Sequence, residues 1–389
     1  MTSILYLVHD LDDPAVERRT TMLERGGAHV RVAGFHRGAP DAERRAGTVD
    51  LGRTHDARLA HRLGLVALRW ADAARFAARL STAPVDVIVA RNLEMLVLAH
   101  RLAAALPHGP PVLYECLDIH RLMVRGNAIG RTLRAIEGRA MAAASGLIVS
   151  SPAFVTEYFE RHQSAALAAL PVLLVENRPL ADAAPRPLAT PASRGEPIRI
   201  GWFGALRCDR SLAMLSAFAA EERGRFEIVL RGRPALSAVP DFHERVRAAP
   251  HMRFLGPYTA DELPAHYAAV DLAWAVDFFE ESLNSSWLLP NRLYEGCGHG
   301  AVPVALSGTR TAATMHERGV GIALPDGGAE AMRAALGSLD RARVDGLRAA
   351  VRATDRSRWI AGPTECVHLV SDLAGMARVA TPEHVAMAA

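Results

Sequence analysis

Apolar positions in this chain fall into short uninterrupted runs separated by stretches of helical spacing. The first run, SILYLVHD (3–10), is followed by the turn LDDP, by AVERRTTMLERGG with helical spacing and a glycine stop, and then by HVRVAGF. The reading is strand, turn, helix, strand. Similar runs follow at VDVIVAR (85–91), PVLYEC (111–116) and GLIVSS (146–151), with Ala/Leu/Arg-rich helical stretches between them. Strands alternating with helices predict a parallel sheet covered on both faces.

Residues 181–197, ADAAPRPLATPASRGEP, break this pattern: they are proline-rich and have a period of neither two nor 3.6. They read as an interdomain linker. The alternation then restarts with IRIGWFG, a helix over SLAMLSAFAAE, FEIVLRG, MRFLG, a helix over ADELPAHYAAV, DLAWAV, the segment LLPNRLYEGCGHG and AVPVAL. A helical stretch near Arg356–Met376, carrying Trp359, is expected to close the chain by packing back on the first domain. The expected fold class is α/β, with two Rossmann-like doubly wound domains facing a central cleft. The expected boundaries are 1–180, linker 181–197, 198–355, and a returning helix and tail at 356–389.

Length and composition agree with two domains, since 389 residues, half of them apolar, suffice for two cores. No run of 18 or more apolar residues is free of charge, and Met1–Asp10 has no basic leader. A cytoplasmic protein without a span or signal peptide is expected. Cys116, Cys208, Cys297 and Cys366 are scattered without a CxxC pair, so they read as free core thiols.

All 45 basic residues are Arg, because the chain contains no Lys. That excludes the P-loop lysine, Schiff-base catalysis and pyridoxal-phosphate attachment, and it leaves Arg for every cationic role. The net charge of +3 is too small for a dedicated nucleic-acid binder, and no nucleic-acid partner is expected. Its distribution is uneven, however, with 15 Arg against 8 acidic residues between 44 and 140. Within this region Arg58, Arg62 and Arg69 share one side of a helical wheel beside Leu59, Leu63, Val66 and Trp70. The stretch is an ordinary surface helix or a dock for anionic lipid.

A dinucleotide dehydrogenase requires GxGxxG after the first strand, where this chain has HDLDDP, and the turn after IRIGWFG reads ALRCDR. Neither fits. In IRIGWFGALRCDR, Gly201 and Gly204 permit a tight turn, and Arg207 stands ahead of a helix N-terminus, an arrangement suited to a diphosphate or to a plain exposed loop. Arg231 and Arg233 end another predicted strand.

The order FGALR, FLGPYTADELPAHYAAVDL, LPNRLYEGCGHGAVPVA resembles the nucleotide-sugar-binding domain of GT-B glycosyltransferases, in particular family 4 and its bacterial exopolysaccharide relatives. HDLDDPAVERRTTMLERGGAHVRVAGF is similar to the first unit of their acceptor domain, so the resemblance covers nearly the whole chain. It implies a sugar transferred from a nucleotide diphosphate sugar, with a UDP-sugar expected as co-substrate, to a lipid-linked saccharide. No metal or other cofactor is implied. By the same resemblance Glu295 accepts the ribose hydroxyls and Arg292 neutralises the diphosphate, as an alternative to a local Arg292–Glu295 ion pair. Gly204, Arg207 and Arg231 line the donor site with Asn291 and Leu293, and Phe254, Gly256 and Tyr258 lie by the base.

The chain departs from the family at Trp287, eight residues before Glu295, where retaining members usually carry a second Glu. The loop DFFEESLNSS offers Glu280 and Glu281 at another spacing, with Glu281 the catalytic candidate. On the acceptor side LYECLDIHRLM supplies Glu115, Asp118 and His120, with Asp13 after the first strand. Asp118 is the candidate general base or, alternatively, a helix cap. A GT-B sugar-nucleotide epimerase and a non-catalytic scaffold of a polysaccharide assembly complex are the alternative functions.

Overall fold

The structure is a computed structural model and describes residues 1–37, 47–54, 65, 68–80, 83–181 and 196–379. The chain divides into two compact units, residues 1–176 with 362–389, and residues 177–361. The first contains β1 (Ser3–Val8), β2 (His29–His36), β3 (Val49–Arg53), β4 (Val87–Arg91), β5 (Val112–Cys116), β6 (Gly146–Val149) and β7 (Val172–Leu174). They form one parallel sheet in the order β3-β2-β1-β4-β5-β6-β7. The run from Ile4 to Val8 is buried throughout, as both-face coverage demands.

Three helices of this unit bear on the site. In α1 (Pro14–Arg25), Asp13 caps by accepting from Ala15 N at 2.9 Å, and Pro14 supplies a first turn that needs no amide. The helix α2 (Leu93–Ala103) follows β4 directly, and α3 (Ala128–Ala142) is capped by Asn127, which accepts from Gly130 N at 3.0 Å.

The second unit contains β8 (Ile198–Leu206), β9 (Phe226–Pro234), β10 (Met252–Phe254), β11 (Leu272–Trp274), β12 (Val302–Leu306) and β13 (Ile322–Leu324). Their order is β10-β9-β8-β11-β12-β13, again all parallel. Its core is built on Trp202, Trp274 and Trp359 among aliphatic residues of the strands. The helices α4 (Asp209–Glu221) and α5 (Asn291–Gly298) follow β8 and precede β12 respectively.

The closing stretch is split where a continuous helix is expected. Arg356–Arg358 form a single 3-10 turn, Trp359 is buried in the core of the second unit, and α6 (Pro363–Val379) begins afresh and packs on α1. Gly362 and Pro363 explain the break, since proline starts a helix readily but cannot continue one. All four cysteines are free and buried, as expected. Of the expected linker, residues 182–195 lie outside the described residues, as do Arg58, Leu59, Arg62, Leu63 and Val66.

Candidate functional site

In each sheet the strand order reverses once, between β1 and β4 and between β8 and β11. Parallel sheets of this kind hold ligands outside the carboxyl ends of the strands at such a reversal. In the second unit three neighbouring strands carry a glycine at or near their carboxyl ends, Gly204 in β8, Gly232 in β9 and Gly256 two residues beyond β10. Gly204 pairs in register with Gly232, whose N–H donates to Gly256 O at 2.9 Å. All three have positive φ, of 106°, 127° and 82°. A Cβ on Gly232 would lie 1.9 Å from Gly204 O, so the strands come together only because it is absent. A Cβ on Gly204 would meet only the Tyr258 hydroxyl, at 3.8 Å. The strand ends form a bare backbone ledge beside Tyr258.

The helix α5 adds charge to this region. Pro290 occupies its cap position, Arg292 Nη1 donates to Trp274 O at the end of β11 at 3.2 Å, and Glu295 Oε2 accepts from the Tyr267 hydroxyl at 3.3 Å. Glu295 is 8 % exposed, which does not describe a partner in a surface ion pair. Burial, then the neighbouring Glu295 carboxylate, raises the pKa of Tyr258, while Arg292 opposes them. Tyr267 is pushed well up by burial and by Glu295. Arg292, Glu295, Tyr258 and Tyr267 therefore form one electrostatic cluster. Leu293 is fully buried in the core of this unit, and Asn291 Oδ1 accepts from Asn177 Nδ2 at 2.8 Å. Phe254 packs its ring on Phe242 and His243, and Arg231 Nη1 donates to Leu255 O at 3.3 Å.

The reversal between β8 and β11 is bridged by an ion pair. Arg207 lies 3.6 Å from Asp277 and over the Phe279 ring at 4.3 Å, so an incoming anion must compete with a carboxylate for this guanidinium. Arg210 pairs with Glu281 at 2.8 Å, stacks on Phe278 and donates to Gly327 O. Any catalytic use of Glu281 requires it to leave Arg210.

In the first unit the predicted residues separate into two groups. Glu115 is fully buried and accepts from Arg19 Nε at 2.8 Å, Arg91 Nε at 2.9 Å and the Tyr6 hydroxyl at 2.5 Å. Burial alone raises its pKa, but Arg91, Arg19 and these hydrogen bonds outweigh that and bring it to about 2. Asp13 joins the group 3.4 Å from Arg91 while capping α1. This network braces β1, β4, β5 and α1 from within.

Asp118 and His120, by contrast, are exposed and line a cavity of about 360 Å³ at the carboxyl ends of β1, β4 and β5. Sequence reasoning missed four other wall residues, His9, Arg37, Asn92 and Glu94. Each follows a strand end or begins a helix, and only the strand order brings them together. On the other predicted face, Arg69 Nε donates inward to Leu51 O at 2.6 Å and its guanidinium lies over the Phe76 ring, while Trp70 is 47 % exposed.

No protein-family model matches the chain. Among solved structures it resembles Anabaena HepE in complex with UDP and glucose, with a TM-score of 0.67 at 15% identity over 96% of this chain and all of that one. It also resembles sucrose-phosphate synthase from Thermosynechococcus elongatus, with a TM-score of 0.71 at 14% identity over 98% of this chain and 100% of that one. The lipopolysaccharide outer core galactosyltransferase WaaB gives 0.62 at 12% identity over 97% and 100%. These likenesses show the fold, two Rossmann-like parallel-sheet domains of the GT-B type. The succinoglycan biosynthesis protein ExoL of Rhizobium meliloti (strain 1021) is 45% identical over 382 residues, 96% of this chain and 94% of the relative. At that identity over nearly the full length of both chains, this protein belongs to the family of the succinoglycan biosynthesis protein ExoL.

Proposed function

We propose that the protein is a glycosyltransferase of bacterial exopolysaccharide synthesis that moves a sugar from a UDP-sugar to a lipid-linked saccharide. The observation that carries the reading is the glycine ledge of Gly204, Gly232 and Gly256 with Tyr258, Arg292 and Glu295 at its side. A flat nucleobase needs an open backbone edge, a ribose needs a carboxylate that takes two hydroxyl protons, and a diphosphate needs guanidinium. In this reading the ledge receives the base and Glu295 the ribose, while Arg292 meets the diphosphate with Arg207 once Asp277 is displaced. The ExoL relative is named for succinoglycan biosynthesis, and HepE structures contain UDP with glucose or UDP-glucose.

On the acceptor side Asp118 is the base. It takes the proton of the acceptor hydroxyl as that oxygen bonds the anomeric carbon. The bond from that carbon to the β-phosphate oxygen breaks, and UDP leaves with its charge met by arginine. A lipid-linked acceptor also calls for a surface that tolerates both chain and headgroup. Ile129, Leu133 and Ile136 lie along one side of α3, Ile129 being 55 % exposed, while Arg125 is exposed just ahead of the helix and Arg131 is exposed on its other side. Among the described residues no helix is long and apolar enough to cross a membrane, so the proposed contact is peripheral.

The test is turnover of radiolabelled UDP-sugars with a membrane extract. Label in the lipid fraction supports transfer. Consumption of donor without lipid product points to the epimerase alternative, and UDP binding without turnover points to a scaffold.

A further inference from the structure

Two arginines where β8 passes into α4 hold one and the same loop. Arg207 Nη2 lies 3.6 Å from Asp277 Oδ2, and its guanidinium stands over the Phe279 ring at 4.3 Å. Arg210, one turn further on, pairs with Glu281 at 2.8 Å and stands over the Phe278 ring at 4.2 Å. Each guanidinium thus takes one carboxylate and one aromatic ring from the segment Asp277–Glu281. The segment begins just after β11, and at its far end Glu280 N and Ser282 N donate to Ser285 Oγ at 2.9 Å and Ser286 Oγ at 3.1 Å in the helix Asn284–Trp287. It is a strap with anchored ends, held down at two points.

The two holds differ in how firmly they are built. Phe278 is buried in the core of the second unit, and Arg210 also donates to Gly327 O at 3.1 Å. A Cβ on Gly327 would run into Arg210 Nη2 and lie 2.7 Å from Phe278 Cε1, so the missing side chain makes room for this hold. At the other hold Phe279 and Arg207 are both exposed, and 3.6 Å is too long for a good hydrogen bond. The second oxygen of the carboxylate, Asp277 Oδ1, accepts from Phe279 N at 2.8 Å. Within the strap Ser282 has φ 63°, a left-handed conformation that a side-chain-bearing residue keeps only while its surroundings impose it. The loose hold also lies at the reversal between β8 and β11, where a ligand's anion would arrive. A carboxylate and a diphosphate make the same demand on a guanidinium, and the diphosphate brings more charge and more acceptor oxygens.

We propose that Asp277 is a built-in stand-in for the donor's diphosphate and that Arg207 is a two-position switch. Without donor it clasps Asp277 and Phe279; with donor it turns to the diphosphate and releases Phe279–Ser282, while the Arg210 hold keeps the strap attached. Asp277 thereby lowers the apparent affinity of the site for a diphosphate, because only molecules with Arg207 free can bind with full strength. The inference rests on the UDP-sugar reading above for the identity of the anion, whereas the switch itself answers to any diphosphate.

The experiment compares wild type, Asp277→Asn and Phe279→Leu by calorimetric titration with UDP and uridine, and by hydrogen exchange of the peptide spanning residues 277–287. Asp277→Asn removes the charge and keeps an acceptor for Phe279 N, and Phe279→Leu removes the ring from Arg207 with no change of charge. The Kd for UDP should fall about 3–10-fold in Asp277→Asn and about 2–4-fold in Phe279→Leu, while uridine, which lacks the diphosphate, should change less than about 2-fold in both. UDP should speed exchange in the wild-type segment by about 5-fold or more, and Asp277→Asn should show the faster exchange before UDP is added. Failure of the UDP Kd to fall in Asp277→Asn overturns the proposal. So does failure in Phe279→Leu, since loss of one negative charge beside an anion site would then explain Asp277→Asn by itself. Exchange that UDP leaves unchanged or slows in wild type also overturns it. If Asp277→Asn does not fold, Phe279→Leu and the wild-type exchange decide. Wild type that does not bind UDP defeats the donor reading instead; inorganic diphosphate then serves as the probe, faster exchange in the segment supporting the switch and unchanged exchange rejecting it.

Discussion

The Tyr267 hydroxyl donates to Glu295 Oε2 at 3.3 Å and so ties the carboxylate to the helix Leu263–Ala268. A carboxylate held this way presents acceptors in a fixed direction, which is what recognition of a vicinal diol requires. Glu295→Gln replaces one acceptor oxygen by a donor. It should weaken UDP by about 1–3 kcal/mol and 2′-deoxy-UDP by less, because part of the lost interaction is already missing there. Arg292→Ala should weaken UDP and 2′-deoxy-UDP alike, and should leave uridine little affected, since uridine lacks the diphosphate. Calorimetric titration of both variants with the three ligands checks this, and unchanged UDP affinity in both retires the assignment.

Gly232 and Gly256 make a second, steric test of the ledge. Both have positive φ, but a Cβ on Gly256 meets nothing within 4 Å, whereas one on Gly232 meets Gly204 O at 1.9 Å. Gly256→Ala should cost about 1–2 kcal/mol for the backbone alone and keep UDP binding. Gly232→Ala must also push β8 from β9, so a much larger loss of stability and loss of UDP binding are expected. Urea unfolding and UDP titration of the two variants distinguish the cases; equal behaviour would mean that the ledge tolerates a side chain.

How much of this was legible beforehand depended on how local the signal was. Arg292 and Glu295 lie on one short helix, so their spacing and flanking motif identify them without knowledge of the fold. The helix expected over ADELPAHYAAV is broken into a 3-10 turn at Ala260–Glu262 and a helix at Leu263–Ala268. The reason is also local: Glu262 reaches back to Thr259 in a capping box, and Pro264 stands in the first turn of the following helix. Glu115 was not legible in this way. A carboxylate at the end of an apolar run looks the same whether it faces a ligand or a buried arginine, and Arg19 and Arg91 lie 96 and 24 residues away in sequence. His9 and Asn92 were missed for the same reason, since adjacency of β1 and β4 is a property of strand order.

Glu115 should therefore govern stability in acid. Its folded pKa of about 2 is below the ordinary value of 4.5, so the stability it contributes is present above about pH 4.5 and is lost as pH falls towards 2. That contribution is of order 3 kcal/mol. Glu115→Gln leaves the buried Arg19 and Arg91 without their carboxylate and should cost about 3–5 kcal/mol at pH 7. Urea unfolding at pH 7 and pH 3 should show wild type losing more stability than the variant between the two. Equal losses would assign the acid sensitivity elsewhere.

The α3 surface predicts salt-sensitive lipid binding. Purified protein should sediment with anionic vesicles at low salt and be released as salt rises, because the arginine attraction is screened. Ile129→Asp, which places a charge on the exposed apolar side, should reduce that binding without altering UDP affinity. Equal sedimentation with neutral and anionic vesicles, or none with either, would remove the membrane contact from the proposal.

Asp118 is the sharpest test of the acceptor side. It is exposed, lines the same cavity as His9 and Asn92, and lies two residues beyond the end of β5, whereas Glu115 within that strand is committed to Arg19 and Arg91. Asp118→Asn keeps the shape and removes the ability to take a proton. If Asp118 is the base, kcat should fall by about 10²–10⁴ while UDP affinity, which the proposed function assigns to the second unit, changes less than about 2-fold. Thermal unfolding should be nearly unchanged, because substitution at an exposed site usually stays within about 0.5 kcal/mol. A stabilising cap would behave in the opposite way, losing Tm and keeping kcat. Asp118→Asn with near-normal kcat in a folded protein would exclude proton transfer to this residue, leaving a mechanism in which the departing phosphate takes the acceptor proton.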